Sequence, residues 1–187
     1  MSNILLNSLY KYYDEKNIKK LLEVLEEDTK VSLRIIDWFV TNYSKKHNIF
    51  YTIYKTETGK YTFNSDGNRP IKQFNTYHSY KAQLKSYSKK RFDPFCRRER
   101  LNFNYNKNNG ISTTIGQLNF FKWAIDNLII EYIKENYVQI EEDMNISYNS
   151  MKKEKKNHKI RKKRQELSKS ASRGLNSNSM RVVLNFS

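Results

Sequence analysis

The 187-residue chain has one cysteine, three histidines, two prolines and five glycines. One cysteine excludes an internal disulfide and any zinc site that needs several cysteine ligands. His47, His78 and His158 lie too far apart to share the spacing of metal ligands. Five glycines form no glycine-rich loop for a nucleotide phosphate. We therefore expect no metal, no other cofactor and no enzymatic activity.

Long apolar runs are also missing. No stretch approaches the roughly 18–20 residues of a membrane-spanning helix. The first residues, MSNILLNSLYKYY, lack the basic region and following apolar stretch of a signal peptide. Together with the lone Cys96, these features predict an intracellular protein without a membrane span.

Acidic residues are scarce relative to basic ones, and the net charge is +16. Residues 71–110 carry ten basic and two acidic side chains, and residues 151–187 carry twelve and two. Residues 111–150, between these blocks, carry two basic and six acidic side chains. Separate basic blocks of this size favour a polyanionic partner. Nucleic acid is the commonest such partner, and acidic lipid or an acidic protein is the alternative.

The clearest compositional boundary lies near residue 150. Beyond it, KKEKKNHKIRKKRQELSKSASRGLNSNS has few apolar residues. Its first part is compatible with a charged helix, and its Ser/Asn-rich second part is typical of disorder. The sequence thus predicts a mainly helical domain over residues 1–150 and a basic, partly disordered tail over residues 151–187.

The N-terminal half predicts three helices and a hairpin. Short helices are expected at Asn3–Tyr13 and Asn17–Leu25, followed by a helix that Ser32 caps and that runs to about Lys46. Residues 49–54 and 60–63 flank the turn KTETG and predict a β-hairpin. The stretch SDGNRP then predicts a turn.

The C-terminal half predicts further helices. One begins at Asn75 or Thr76, and Asp93-Pro94 either ends it or starts another. The stretch LNFNYN alternates apolar and polar residues before an Asn-rich loop. Thr114 and Gln117 have capping-box spacing, and a long amphipathic helix follows to about Asn136. The expected fold is mainly α with a small β-hairpin, an α+β fold.

The stretch SYKAQLKSYSKKRFDPFCRRER is the strongest candidate for a binding surface. On a helix, the spacing of Tyr77, Tyr80, Leu84 and Tyr87 predicts a core-facing stripe, while Lys81, Lys85 and Lys89 stack on another face. Like charges at this spacing destabilise a helix, so an anionic ligand explains them better than a solvated face does. The predicted nucleic-acid-binding residues are Lys81, Lys85, Lys89, Lys90, Arg91, Arg97, Arg98 and Arg100, with Lys152, Lys153, Lys155, Lys156, Arg161, Lys162, Lys163 and Arg164 in the tail.

Three further features of the sequence have more than one interpretation. Phe92 and Phe95 can stack on bases or anchor the core, and burial preferences favour the core. Cys96 has no histidine nearby in sequence, although adjacent arginines could lower its pKa. The acidic residues of IEEDMN could bind a metal, but continuation of a helix is the simpler interpretation.

The last residues, Met180–Ser187, alternate apolar and polar side chains after a long polar stretch. In an extended conformation they would present one apolar face. Such a segment can add to an exposed sheet edge, either in this chain's own hairpin or in a protein partner. An unstructured end is the alternative.

Several stretches together resemble a known family: SLRIIDWFVTNYSKK, YKAQLKSYSKKRFDPFCRRER, TTIGQLNFFKWAIDN and IEEDMN. They are similar to small basic proteins of nucleocytoplasmic large DNA viruses, the mimivirus-like giant viruses in particular. The resemblance covers about residues 30–145. It implies an infected host cell as the setting, in the cytoplasmic viral factory or the virion, with the nucleus possible. It implies no catalytic residues.

Two functions are consistent with these features. The first is a non-enzymatic nucleic-acid-binding protein of a large DNA virus that contacts phosphates during packaging, in the virion core or in transcription, with DNA favoured over RNA. The alternative is an internal virion structural or adaptor protein that binds an acidic protein. Salt dependence separates the two, because each phosphate contact releases counterions.

Overall fold

A computed structural model describes residues 2–25, 31–106 and 109–157. The helices are α1 (Ser2–Tyr12), α2 (Glu15–Leu25), α3 (Leu33–Trp38), α4 (Ser44–Lys46), α5 (Thr76–Arg91), α6 (Ile115–Asp126), α7 (Ile129–Glu135) and α8 (Tyr137–Asn157). The strands are β1 (Phe50–Lys55), β2 (Tyr61–Thr62), β3 (Arg69–Asn75), β4 (Leu101–Asn104) and β5 (Gly110–Thr113). The predicted fold, mainly α with a small β component, is confirmed; its strands form one three-stranded and one two-stranded antiparallel sheet.

The helix predicted after Ser32 forms, with one irregularity. The Ser32 hydroxyl accepts a hydrogen bond from the Ile35 amide, as an N-cap should. A π-helical turn, Phe39–Tyr43, then separates α3 from α4. The turn contributes Phe39 and Val40 to the core, where both are fully buried.

The predicted hairpin is part of a larger sheet. Strands β1 and β2 pair antiparallel as expected, and β3 pairs with the other edge of β1. The prediction of a turn at SDGNRP was therefore wrong at its end, because Arg69 and Pro70 belong to β3. Five of the seven β3 residues are exposed. An exposed edge strand tolerates proline and lacks the apolar alternation that reveals a half-buried strand.

Helix α6 lies at the centre of the core. Leu118, Phe120, Phe121 and Ala124 are fully buried, and α6 packs against both α1 and α5. The Tyr13 hydroxyl donates to the Leu118 carbonyl across 2.6 Å, which ties α6 to the N-terminal segment.

The long helix predicted to Asn136 is interrupted. Helix α6 ends at Asp126, and α7 begins only after Leu128, which adopts a left-handed conformation with φ 55°. The side-chain amide of Asn127 donates to the Trp123 carbonyl at 2.7 Å and so satisfies one of the terminal carbonyls of α6. Leu128 is buried, so core packing offsets its unfavourable backbone conformation.

Helix α8 continues past the predicted domain boundary at residue 150 and reaches Asn157. The predicted disordered stretch and Met180–Ser187 lie outside the described residues, so the division into residues 1–150 and 151–187 stays a prediction. Within the described residues, no helix combines the length and the apolar character needed to cross a membrane.

Candidate nucleic-acid interface

Helix α5 begins where the sequence predicted. The Asn75 side chain accepts a hydrogen bond from the His78 amide and caps the helix. Tyr80 is buried, and Leu84 and Tyr87 pack against the core, which confirms the core-facing stripe for these three residues; Tyr77 is half-buried and lies outside the core cluster. The Trp123 indole N–H donates to the Ser79 hydroxyl at 3.0 Å and joins α5 to α6.

Lys81 and Lys85 lie on the exposed side of α5, four residues apart. Neither forms an ion pair within the described part of the chain. The predicted alignment of Lys89 with them is wrong, because Ser88 breaks the helix with φ 56° and ψ 168°. This conformation is one that essentially only glycine adopts without strain. The regular lysine stack is therefore a pair, and Lys89, Lys90 and Arg91 follow the break.

The second helix considered at Asp93-Pro94 does not form, and residues 92–100 have no regular structure. Asp93 is buried and accepts hydrogen bonds from the Phe95 amide and the Arg97 guanidinium. Its carboxylate thus stabilises a turn instead of capping a helix. Phe92 and Phe95 are both buried, which confirms the core interpretation.

The arginines after this turn differ in what they contact. Arg97 binds Asp93 through two hydrogen bonds of 2.9 and 2.8 Å, and its guanidinium lies 4.8 Å from the centre of the Phe95 ring. The Arg97 fork therefore already has a carboxylate partner. Arg98 and Arg100 are exposed and form no ion pair among the residues described.

The start of α6 holds the basic segment in place. The backbone amide of Asp93 donates to the Gly116 carbonyl at 3.1 Å, and the side-chain amide of Asn119 donates to the Arg91 carbonyl at 2.8 Å. A Cβ at Gly116 would lie 3.1 Å from the Lys90 carbonyl oxygen, so glycine permits a close backbone approach. The backbone that carries the exposed cations is thus held in place by contacts with the core.

The capping box at Thr114 forms only in part. The Thr114 hydroxyl accepts from the Gln117 amide at 3.0 Å, as predicted. The Gln117 side chain does not return to the cap. It accepts from the Thr113 hydroxyl and donates to the Pro94 carbonyl, which links α6 to the Asp93 turn.

The suggestion that arginines lower the pKa of Cys96 is not supported. Burial raises the pKa of the thiol, and the opposing effect of Arg100 is smaller. The thiol therefore stays protonated, which disfavours a nucleophilic role.

The acidic residues of IEEDMN lie on α8, which confirms the helix interpretation. Asp143 is buried and binds three side chains of the preceding helical segment. The Trp38 indole N–H donates to it at 3.0 Å, Lys46 forms an ion pair with it, and His47 Nε2 lies 3.6 Å from Oδ1. Burial alone would raise the pKa of this carboxyl, but the bonds from Lys46 and Trp38 hold it below its ordinary value. No group of metal-binding side chains occurs within residues 2–25, 31–106 and 109–157.

A model of a family of unknown function, DUF7197, matches residues 2–184. This chain belongs to the DUF7197 family. The uncharacterized protein L507 of Acanthamoeba polyphaga mimivirus is similar, with 39% identity over 149 residues. The match covers 77% of this chain and 53% of L507, so the chain spans about half the length of that relative. The resemblance to a giant-virus family is confirmed, and no solved structure matches the chain.

The predicted tail residues of this DUF7197 protein lie at the end of the described part of the chain or outside it. Lys152, Lys153, Lys155 and Lys156 lie on the last turns of α8. Arg161, Lys162, Lys163 and Arg164 are outside the described residues. The α5 segment therefore supplies the part of the predicted interface whose side chains the structure describes.

Proposed function

We propose that this DUF7197 protein binds nucleic acid without catalysing a reaction. The contacts are made to phosphates by a set of cations that we name the basic surface: Lys81, Lys85, Lys90, Arg98 and Arg100. DNA is the favoured ligand, and the basic tail adds a second contact. No cofactor takes part.

The observation that supports this proposal is the absence of acidic partners. All five cations of the basic surface are exposed and unpaired within the described part of the chain. Lys81 and Lys85 face each other at a helical spacing that is unfavourable for like charges. Phosphates remove this repulsion, and their binding gains free energy from the release of condensed counterions.

The relationship to a mimivirus protein supports a role at the viral genome. Packaging, assembly of the virion core and transcription all require proteins that hold DNA through its backbone. A site in the host cytoplasm or in the virion fits each of these roles. Phosphate contacts position a protein but carry no sequence information, so we expect little sequence preference.

The decisive experiment is a binding titration of the full chain with a short DNA duplex between about 50 and about 200 mM salt. The variant Lys81→Gln/Lys85→Gln should bind more weakly, and its salt slope should fall by up to about 0.9 for each phosphate that it no longer neutralises. The matched control is Lys16→Gln/Lys19→Gln, which removes the same charge from exposed positions on α2.

Equal weakening by both variants would show that only net charge matters and would contradict the assigned surface. Absence of DNA and RNA binding even at the lowest salt would contradict the proposed function. The adaptor alternative, with an acidic protein as the ligand, would then be favoured.

A further inference from the structure

The three-stranded sheet has an outer face that the proposed function does not use. Along β1, Tyr51 and Ile53 point inward: Ile53 is buried, and the Tyr51 ring stacks on Tyr132 with 5.0 Å between centroids. Successive side chains of a strand point to opposite faces. Phe50, Thr52 and Tyr54 therefore form a row on the outer face.

This outer row is unusually aromatic. Phe50 is 66% exposed, and Ile71, on the neighbouring strand, is 45% exposed. Neither Phe50 nor Tyr54 makes a ring contact with any residue that the structure describes. The solvated face of an antiparallel sheet is ordinarily polar, and exposed large apolar side chains mark binding surfaces.

Positive charge lies at both ends of the row. At one end, Thr56 continues the alternation of Thr52 and Tyr54, and its amide donates to the carbonyl of Lys60, the residue before β2. Lys60 is exposed and has no ion pair in the described ranges, whereas Lys55 and its partner Arg69 alternate onto the face of Tyr51 and Ile53. At the other end, Phe50 is opposite Asn75, the cap of α5. Lys81 follows six residues later, about 9 Å along the helix.

The exposed ring of Phe50 and the half-buried ring of Tyr54, beside cations, suit the recognition chemistry of single-stranded nucleic acid. Bases that are not paired stack on aromatic side chains, while the backbone follows positive charge. A duplex offers no such base faces, because its bases are already stacked within the helix. We infer that the outer face, with Phe50 and Tyr54 as stacking residues, binds single-stranded nucleic acid, and that the basic surface continues the path of its phosphates. This inference rests on the proposed function and adds the class of ligand.

Charge also argues against two other occupants of this face. A second copy of the chain would bring a net charge of +16 against the same cations. The segment Met180–Ser187 carries Arg181 and no acidic residue, so it offers no complementary charge either. A polyanion with exposed ring faces satisfies both the aromatic and the cationic parts of the surface.

The test compares one single-stranded probe, oligothymidine, with a duplex of equal length. Phe50→Ala/Tyr54→Ala should lower the affinity of the full chain for oligothymidine by at least about tenfold, since stacking contributes about that much per base. Its affinity for the duplex should stay within about twofold. Tyr61→Ala is the control, because Tyr61 is exposed in the same sheet but pairs with Lys55, outside the row.

Phe50→Tyr/Tyr54→Phe keeps both rings and should retain binding, so it separates a loss of stacking from a loss of folding. Unchanged oligothymidine affinity of the alanine variant, with wild-type binding intact, would overturn the inference alone. Equal loss on both probes would overturn it as well. A wild-type dimer that the alanine variant converts to a monomer would show that the face binds a second copy. Failure of the wild type to bind either probe would instead overturn the proposed function.

Discussion

The basic surface and the segment that holds α8 use charge in opposite ways. At α8, Asp143 is buried, accepts hydrogen bonds from Trp38 and Lys46 and lies 3.6 Å from His47, all in the helical segment before the sheet. On the basic surface, Lys81, Lys85, Lys90, Arg98 and Arg100 meet solvent without acidic partners among the described residues. The first arrangement holds the fold together, and the second leaves charge available to a ligand.

The difference follows from where the acids lie in the chain. Residues 111–150 carry a net excess of acids, and three of these acids bind cations that lie outside residues 71–110. Glu131 pairs with Lys20 at 3.0 Å, Asp126 with Lys122 at 2.6 Å, and Asp143 with Lys46. The excess of cations in residues 71–110 therefore remains largely without carboxylate partners. The net positive charge is accordingly concentrated on one surface.

Removing the buried carboxylate should have the largest effect on stability. Asp143→Leu leaves the Trp38 indole N–H without its acceptor in a site where Trp38 is buried. An unpaired buried donor costs about 1–3 kcal/mol, and we expect about 2–3 kcal/mol off the free energy of unfolding in urea. Glu142→Leu is the control, because Glu142 is the exposed neighbour on α8. Equal losses in the two variants would contradict the anchoring role of Asp143.

The same carboxylate should make stability depend on pH. The pKa of Asp143 is lower in the folded protein than its ordinary value of about 3.9. Its contribution is therefore complete above the unfolded-state pKa and disappears as the pH falls through the folded-state pKa. Thermal midpoints of the wild type should fall more steeply below about pH 4 than those of Asp143→Asn. Parallel curves would show that other carboxylates dominate acid unfolding.

Asp93 is the exception inside the basic segment, and its removal should have an intermediate effect. Asp93→Ala deprives the buried Phe95 amide and the Arg97 guanidinium of their acceptor. We expect a loss of about 1–2 kcal/mol by urea denaturation, because Arg97 can be rehydrated. DNA affinity should not fall, since the substitution removes no cation of the basic surface. Glu99→Ala, at an exposed acid of the same segment, should leave stability unchanged; a comparable loss there would contradict the special role of Asp93.

The sequence predicts some of these features better than others. Local signals succeed: the caps at Ser32, Asn75 and Thr114 all form, because each depends on a side chain and an amide three residues on. The breaks in the helices were not predicted, because neither Ser88 nor Leu128 is a glycine or proline that would reveal one. Leu128 is buried in the core, and the residues that follow Ser88 are held by α6, and periodicity cannot show such long-range contacts.

The candidate site divides in the same way. The exposure of Lys81 and Lys85 follows from helical periodicity, whereas the engagement of Arg97 by Asp93 depends on a turn in place of the predicted short helix. The outer aromatic row was missed although its signal, Phe50 and Tyr54 at even spacing on β1, is present in the sequence. The row was not recognised because β3 has little apolar pattern and was not predicted as a strand. Without β3, the predicted hairpin has only a narrow face.

Removing the backbone strain at the break in α5 should increase the stability of the protein, by less than the losses above. Ser88→Gly removes strain of about 1–3 kcal/mol but adds the entropic cost of glycine, about 0.5–1 kcal/mol. We expect a net gain of about 0.5–1 kcal/mol in the free energy of unfolding. Ser86→Gly, two residues earlier in the regular helix, should lose about 0.5 kcal/mol. A loss in both variants would show that residue 88 is helical in solution and that Lys89 aligns with Lys81 and Lys85 after all.

The smallest effect tests the basic surface without any ligand. Lys81→Gln/Lys85→Gln removes a like-charge pair at i, i+4, so the variant should be more stable than the wild type by a few tenths of a kcal/mol. The gain should vanish near 1 M salt, where the Debye length is about 3 Å. Lys46→Gln, which breaks the pair with Asp143, should lose stability in the same low-salt series. The measurement is the thermal midpoint of the wild type and of both variants at low and at high salt. A loss of stability in the double variant would mean that Lys81 and Lys85 have acidic partners in solution, and the contrast between the two regions would no longer hold.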